Sequence, residues 1–141
     1  MIAILSIKVK YVDAILRQDK RYEFRKAPFK KDVDEVLVYA TKPISKIVCK
    51  FHVGKIIKDK PEKLWKNYGN LSGLTKKEFF TYFSGMGKGV AIEIIGVKKF
   101  SEPIDPKLIY PKFTPPQSWV YLPPVENLLK SHSGGKNDRN K

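Results

Sequence analysis

Three charged residues set close together carry the first chemistry in this sequence: Lys20, Glu23 and Arg25, in the stretch KRYEFR. A carboxylate held beside two cations keeps its charge, because opposite charges favour the ionised form and lower its pKa. Such a carboxylate anchors an arginine or accepts a hydrogen bond from a base amino group, while the flanking cations suit phosphate. Tyr22 and Phe24 alternate with Glu23 and Arg25, so the stretch reads as a strand with one aromatic and one charged face. Taken alone, the triplet reads first as a salt bridge on a wet face, worth under about 1 kcal/mol. Strict alternation also puts Lys20 opposite Glu23, so the three charges share one cleft only if the chain entering the strand is irregular.

The charge balance raises the weight of the phosphate reading. Among 141 residues there are 28 Lys and Arg against 14 Asp and Glu, a net charge of +14, which favours a polyanionic partner, and nucleic acid is the usual one. Lysine-rich surfaces of heat-adapted proteins balance Lys with Glu, and this chain does not. Lys8, Lys10, Lys42 and Lys88 would widen the positive surface. Trp119, in a proline-rich segment, is the aromatic to watch for base stacking, worth about 1–3 kcal/mol per base; Trp65, Tyr68, Tyr82 and Tyr121 read as core. The run GMGKG fails as a phosphate loop, because Tyr82 holds the first-glycine position and Gly89 follows the lysine instead of a hydroxyl residue.

Other chemistries find little support. His52 and His132 with the lone Cys49 cannot assemble a zinc ligand set, so neither a metal nor another cofactor is expected. His52, followed by Val-Gly, gives no positive sign of a Ser/His/acid triad. Cys49 reads as a core thiol, and a single cysteine fits a reducing compartment. The opening MIAILSIKVK lacks a basic leader and is too short to span a bilayer, so a cytoplasmic protein without membrane contact is expected.

The elements that must position the triplet follow from periodicity. The spacing predicts a buried strand over Ile2–Ile7, a helix over Val9–Gln18, and the charged strand after it. Further strands are predicted over Val33–Thr41, Ile44–Lys58 with a bend at Gly54, and Gly89–Phe100 with a bulge at Gly96. Pro61 opens a short helix, PEKLWKNY, and Thr75 with Glu78 forms a capping box for another, ending at Gly85. Prolines break regular structure after Phe100, leaving QSWVYL as an edge strand and Val125–Lys130 as a last helical turn. Residues 1–130 then make one domain, and the polar stretch 131–141 a disordered basic tail. Several strands with short helices point to an α+β fold, a small mixed barrel.

The stretches ILSIKVKYVDAILRQDKRYEFRK, VYATKPISKIVCKFHVGKI and YFSGMGKGVAIEI resemble the ASCH domain family, whose fold is a PUA-like pseudo-barrel, and the likeness spans Ile4 to Tyr121. The family signature is Gly-x-Lys-x-x-Glu-x-Arg, matched here by Lys20, Glu23 and Arg25, with Gln18 in place of the glycine. Val9 and Cys49 stand where the resemblance would place a proline and a glycine. It implies a barrel whose cleft binds RNA or a nucleotide-like ligand. Some branches are catalytic: an acetylcytidine amidohydrolase branch pairs the signature lysine with a threonine where this chain has Glu23, and another branch is described as ribonucleases. Glu23 cannot act as that threonine does, so the amidase mechanism does not transfer. The expectation is an RNA-binding module, RNA ahead of DNA, in which Lys20 and Arg25 contact phosphate and Glu23 accepts from a base or holds Arg25. The alternative is an RNA- or nucleoside-directed hydrolase in the same cleft, with Lys20 as general base or charge stabiliser and Glu23 as proton carrier. That alternative requires a buried lysine with a lowered pKa.

Overall fold

The computed structural model describes residues 1–116 and 119–122. Its strands are β1 (Ile2–Ile7), β2 (Tyr22–Arg25), β3 (Glu35–Ala40), β4 (Lys46–Asp59), β5 (Gly89–Ile104) and β6 (Trp119–Tyr121). They form one mixed sheet in the order β2-β5-β4-β3-β1-β6, with β1 parallel to β3 and the other pairs antiparallel. Helix α1 (Val9–Leu16) connects β1 to β2, and α2 (Pro61–Tyr68) and α3 (Lys76–Tyr82) lie between β4 and β5.

The apolar run of β1 is explained by burial on both sides. Ala3, Leu5 and Ile7 join Val12 and Ile15 of α1 with Val36, Val38 and Phe51 in the main core. Ile4 turns the other way, into a second cluster with Leu37, Tyr39, Ile47, Phe113 and Leu122. A third cluster, Tyr22, Phe24, Leu64, Phe79, Phe83 and Ala91, fixes α2 and α3 against β2 and β5. Phe79 is fully buried at its centre, with its ring 5.0 Å from Phe24 and 4.8 Å from Phe83.

The sheet curls. β2 and β1 are four strand spacings apart in the hydrogen-bonded order, about 19 Å if the sheet were flat. Arg25 of β2 nevertheless reaches the Ser6 carbonyl of β1 at 3.4 Å. This α+β pseudo-barrel is the expected fold class. The long β4–β5 pair carries register shifts of the kind that bend a sheet, among them those between Val53 and Ile56 and between Lys50 and His52. Gly54 lies in the first, and Gly96, at φ +62, lies opposite the second, where a side chain would be strained.

Several boundaries differ from the sequence expectation. β5 runs four residues past Phe100 to Ile104, because Pro103 falls near its end, where Ile104 still pairs with Ile47. Helix α3 stops at Tyr82 and not at Gly85. The long third-strand prediction loses Val33 and Asp34, and Asp34 instead binds the chain's amino terminus at 3.1 Å. Trp119–Tyr121 is the edge strand expected, pairing with β1. The helical turn predicted over Val125–Lys130, the domain limit at 130 and the tail 131–141 lie outside the described residues.

Helix α1 ends two residues before the predicted Gln18, and Gln18 itself adopts φ +67. A left-handed residue cannot continue a right-handed helix, and the turn it makes redirects the chain into β2. Val9 takes the first helical position, which proline also favours. Gln18→Gly relieves a left-handed strain of about 1 kcal/mol at some cost in chain entropy, so a gain of about 0.5 kcal/mol is expected, read as a raised denaturant midpoint at unchanged slope.

Candidate functional site

The triplet lies together, and it is buried. Lys20 is 3% exposed, Glu23 8% and Arg25 9%, so the wet-face salt bridge expected from the sequence alone is replaced by an interior cluster. Glu23 stands between the cations: Oε2 meets Arg25 Nη2 at 2.7 Å and Oε1 meets Lys20 Nζ at 3.3 Å. The irregular junction that this requires is present. The turn at Gln18 places Lys20 before the start of β2, free of strand alternation. Its stem then passes Gly73, at φ +73, where a Cβ would stand 3.1 Å from the Lys20 Cβ.

Lys20 Nζ also donates to the carbonyls of Tyr22 at 2.9 Å and Ser72 at 2.6 Å. Its three N–H donors therefore each have an acceptor. Burial lowers the pKa of Lys20, and Glu23 opposes that shift. For Glu23, burial pushes its carboxyl up, but Arg25 and then Lys20 together hold it below the usual range. The buried lysine with a lowered pKa that a hydrolase would need is thus present. Its three acceptors nonetheless favour the ammonium form, since a neutral amine has only two N–H groups to offer. Arg25 Nη2 reaches the Ser6 carbonyl, while Arg25 Nε and Ser6 Oγ are buried without a hydrogen-bond partner among the described residues.

These side chains border a cavity of about 520 Å³ between β2, the end of β1, α1 and α3. Lys8, Lys20, Arg25 and Lys77 face it with Glu23 and Glu78, and Ile7, Tyr11, Leu74 and Tyr82 give it apolar walls. The capping box that the sequence predicted builds its rim. Glu78 accepts from the Thr75 N–H at 2.8 Å and from Lys10 Nζ at 2.6 Å, and Tyr11 Oη donates to it at 3.2 Å. Lys10 and the Thr75 N–H hold the Glu78 carboxyl down at about 2. One carboxylate so caps α3 and ties it to α1.

Of the residues picked out from sequence, Lys8, Lys20, Glu23 and Arg25 line the cavity, and Lys10 is drawn to its rim by Glu78. Lys42 and Lys88 are exposed and do not line it. Trp119 does not line it either: its ring packs 4.8 Å from Phe29 against the main core. Sequence reasoning missed Ser6, Tyr11, Lys77 and Glu78 as cavity residues. The capping box had marked Glu78, but only as a helix start. Cys49 is a core thiol as expected, pushed up to about 11 by burial. Among the described residues no group of three or more His, Cys, Asp or Glu is placed to hold a metal ion, and no helix is long and apolar enough to cross a membrane.

Glu23→Gln leaves two buried cations without their carboxylate, and removing one partner of a buried pair costs about 3–5 kcal/mol. Because the folded pKa of Glu23 lies below its ordinary 4.5, its contribution is complete above that value and is lost as pH falls through the folded one. Denaturant titrations should show a large gap between the two proteins at neutral pH that narrows on acidification.

A family model described as a domain of unknown function (DUF365) matches residues 3–112. A protein of Zymomonas mobilis named an ASCH domain-containing ribonuclease is 28% identical over 127 residues, covering 85% of this chain and 83% of that protein. The crystal structure of ASCH from Zymomonas mobilis superposes with a TM-score of 0.82 at 26% identity, over 93% of this chain and 94% of that one. The N-terminal domain of Staphylothermus marinus McrB shares the fold more distantly, with a TM-score of 0.54 at 10% identity and 93% of each chain covered. The chain belongs to the DUF365 family, and its pseudo-barrel is that of the ASCH domains it resembles in sequence.

Proposed function

We propose that the cavity beside β2 binds a phosphate of RNA, with Arg25 as the principal contact. The observation that carries this reading is a pair of unused donors on two cavity residues: Arg25 Nε and the Ser6 hydroxyl are buried without partners among the described residues. A buried polar group without a partner costs about 1–3 kcal/mol, and a phosphate bound against Arg25 and Ser6 would offer acceptors to such donors. Glu23 and Lys20 support Arg25 from behind, since their own groups are already engaged. Lys8 and Lys77, at the cavity, extend the positive surface along a strand of phosphates. The expected role of Lys20 as a phosphate contact becomes a supporting one.

RNA is preferred to DNA because the Zymomonas relative is named a ribonuclease. That name also favours a second reading, in which the phosphate held by Arg25 is cleaved. On the geometry Lys20 is not its general base, because each of its donors is taken.

Fluorescence anisotropy with a short labelled oligoribonucleotide tests the first reading. The logarithm of the affinity should fall linearly with the logarithm of salt, and Arg25→Ala should weaken binding about tenfold and reduce that slope by about 1. An affinity flat in salt overturns the reading. End-labelled RNA run on a gel after incubation tests the second: fragments with the wild type and none with Arg25→Ala support cleavage, and intact RNA in both removes it.

A further inference from the structure

We propose that the main chain of Phe24 reads the edge of a single unpaired nucleobase in the same cavity; this rests on the RNA reading above. Glu23, the base acceptor expected from the sequence, is not free for that work, since one oxygen holds Arg25 and the other Lys20. The free edge of β2 offers an alternative.

β2 ends the strand order and pairs only with β5. Ile94 N–H donates to the Arg21 carbonyl at 2.9 Å, while the Arg21 N–H itself goes to the Leu71 carbonyl at 2.7 Å, and in the register that follows Glu23 and Arg25 turn their main-chain groups toward β5. In an extended strand successive residues alternate, and Tyr22 and Phe24 therefore turn theirs to the open edge. The Tyr22 carbonyl confirms the direction, because it accepts from Lys20 Nζ. Phe24 also lines the cavity; its ring packs against Phe79 and Phe83 and lies 6.0 Å from Lys20 Nζ. By this alternation its N–H and C=O lie side by side along the open edge of β2, beside the cavity that Phe24 lines, and among the described residues neither meets a partner.

A donor beside an acceptor complements the Watson–Crick edges of bases, which carry the two side by side. An added peptide strand fits less well. Strand addition needs a row of free main-chain pairs, and here Lys20 has already taken the Tyr22 carbonyl. The cavity is also walled by Leu74 and Tyr82, whose apolar surfaces suit the faces of a flat ring. Its volume of about 520 Å³ is of the size of one nucleotide.

The test compares the full chain's affinity for four homopolymeric oligoribonucleotides and an abasic oligomer of the same length, at several salt concentrations. The preferred base should bind on the order of tenfold tighter than the abasic oligomer with the same salt slope, because one good paired contact is worth that much. Methylation of that base on its Watson–Crick nitrogen should remove the advantage. In a nitrogen-labelled sample the Phe24 amide signal should move with the preferred oligomer and stay still with the abasic one. Equal, salt-sensitive binding of all five oligomers overturns this inference and leaves the phosphate reading intact, as does a Phe24 amide that stays still. Loss of salt sensitivity for every oligomer overturns both.

Discussion

One buried carboxylate holds the candidate site of this structure together. Glu23 sits inside the protein against two cations, and taking three charges out of water is costly enough that apolar residues of similar volume often serve stability as well or better. Attraction repays that cost only when the remaining donors are satisfied, and Lys20 satisfies its own through Tyr22 and Ser72. The cluster thereby joins three segments that are distant in sequence: β2, the turn at Ser72 before α3, and β1 through Ser6. It fixes Arg25 beside the cavity, with the Nε donor buried and without a partner among the described residues.

Two tiers of ion pairing divide the labour around the cavity. The inner tier is dry and geometrically specific. The outer one, Lys10 with Glu78, has a lysine side chain 64% exposed and contributes little by charge alone. Glu78 matters more as a hydrogen-bonding hub, because it completes the α3 cap and receives Tyr11. Helix α3 is only seven residues long and cannot stand on propensity, so its cap and the Phe79 contacts beneath it keep the cavity wall in place.

How much of this was legible in the sequence depended on whether local spacing or long-range closure was the deciding term. Period-two alternation located β2 and gave its two faces, and the Thr75–Glu78 spacing located the start of α3. The same alternation put Lys20 on the wrong side of Glu23. What reconciles them is the left-handed Gln18, a conformation that glycine advertises in a sequence and glutamine does not. Burial of the triplet was not legible either, since a charged face looks alike whether the sheet behind it is flat or curled. Register shifts across β4 and β5, of the kind that bend a sheet, depend on pairings that no window of neighbouring residues contains. Trp119 shows the same limit in reverse: the proline-rich setting pointed to an exposed ring, and pairing of its strand with β1 turned the ring onto Phe29.

The net charge and the cavity act at different ranges. A charge of +14 spread over the chain creates a field that gathers polyanions and speeds encounter, but such a field does not distinguish one polyanion from another. The cavity keeps the chain's own two-to-one balance, with Glu23 and Glu78 offsetting half the charge of Lys8, Lys20, Arg25 and Lys77. A site built for affinity alone would not place two carboxylates there. Under the proposed RNA reading their presence fits a division in which surface lysines supply attraction, and the cavity supplies orientation through fixed donors that do not depend on net charge. Salt then weakens the first contribution much more than the second, because buried contacts are screened far less than exposed ones.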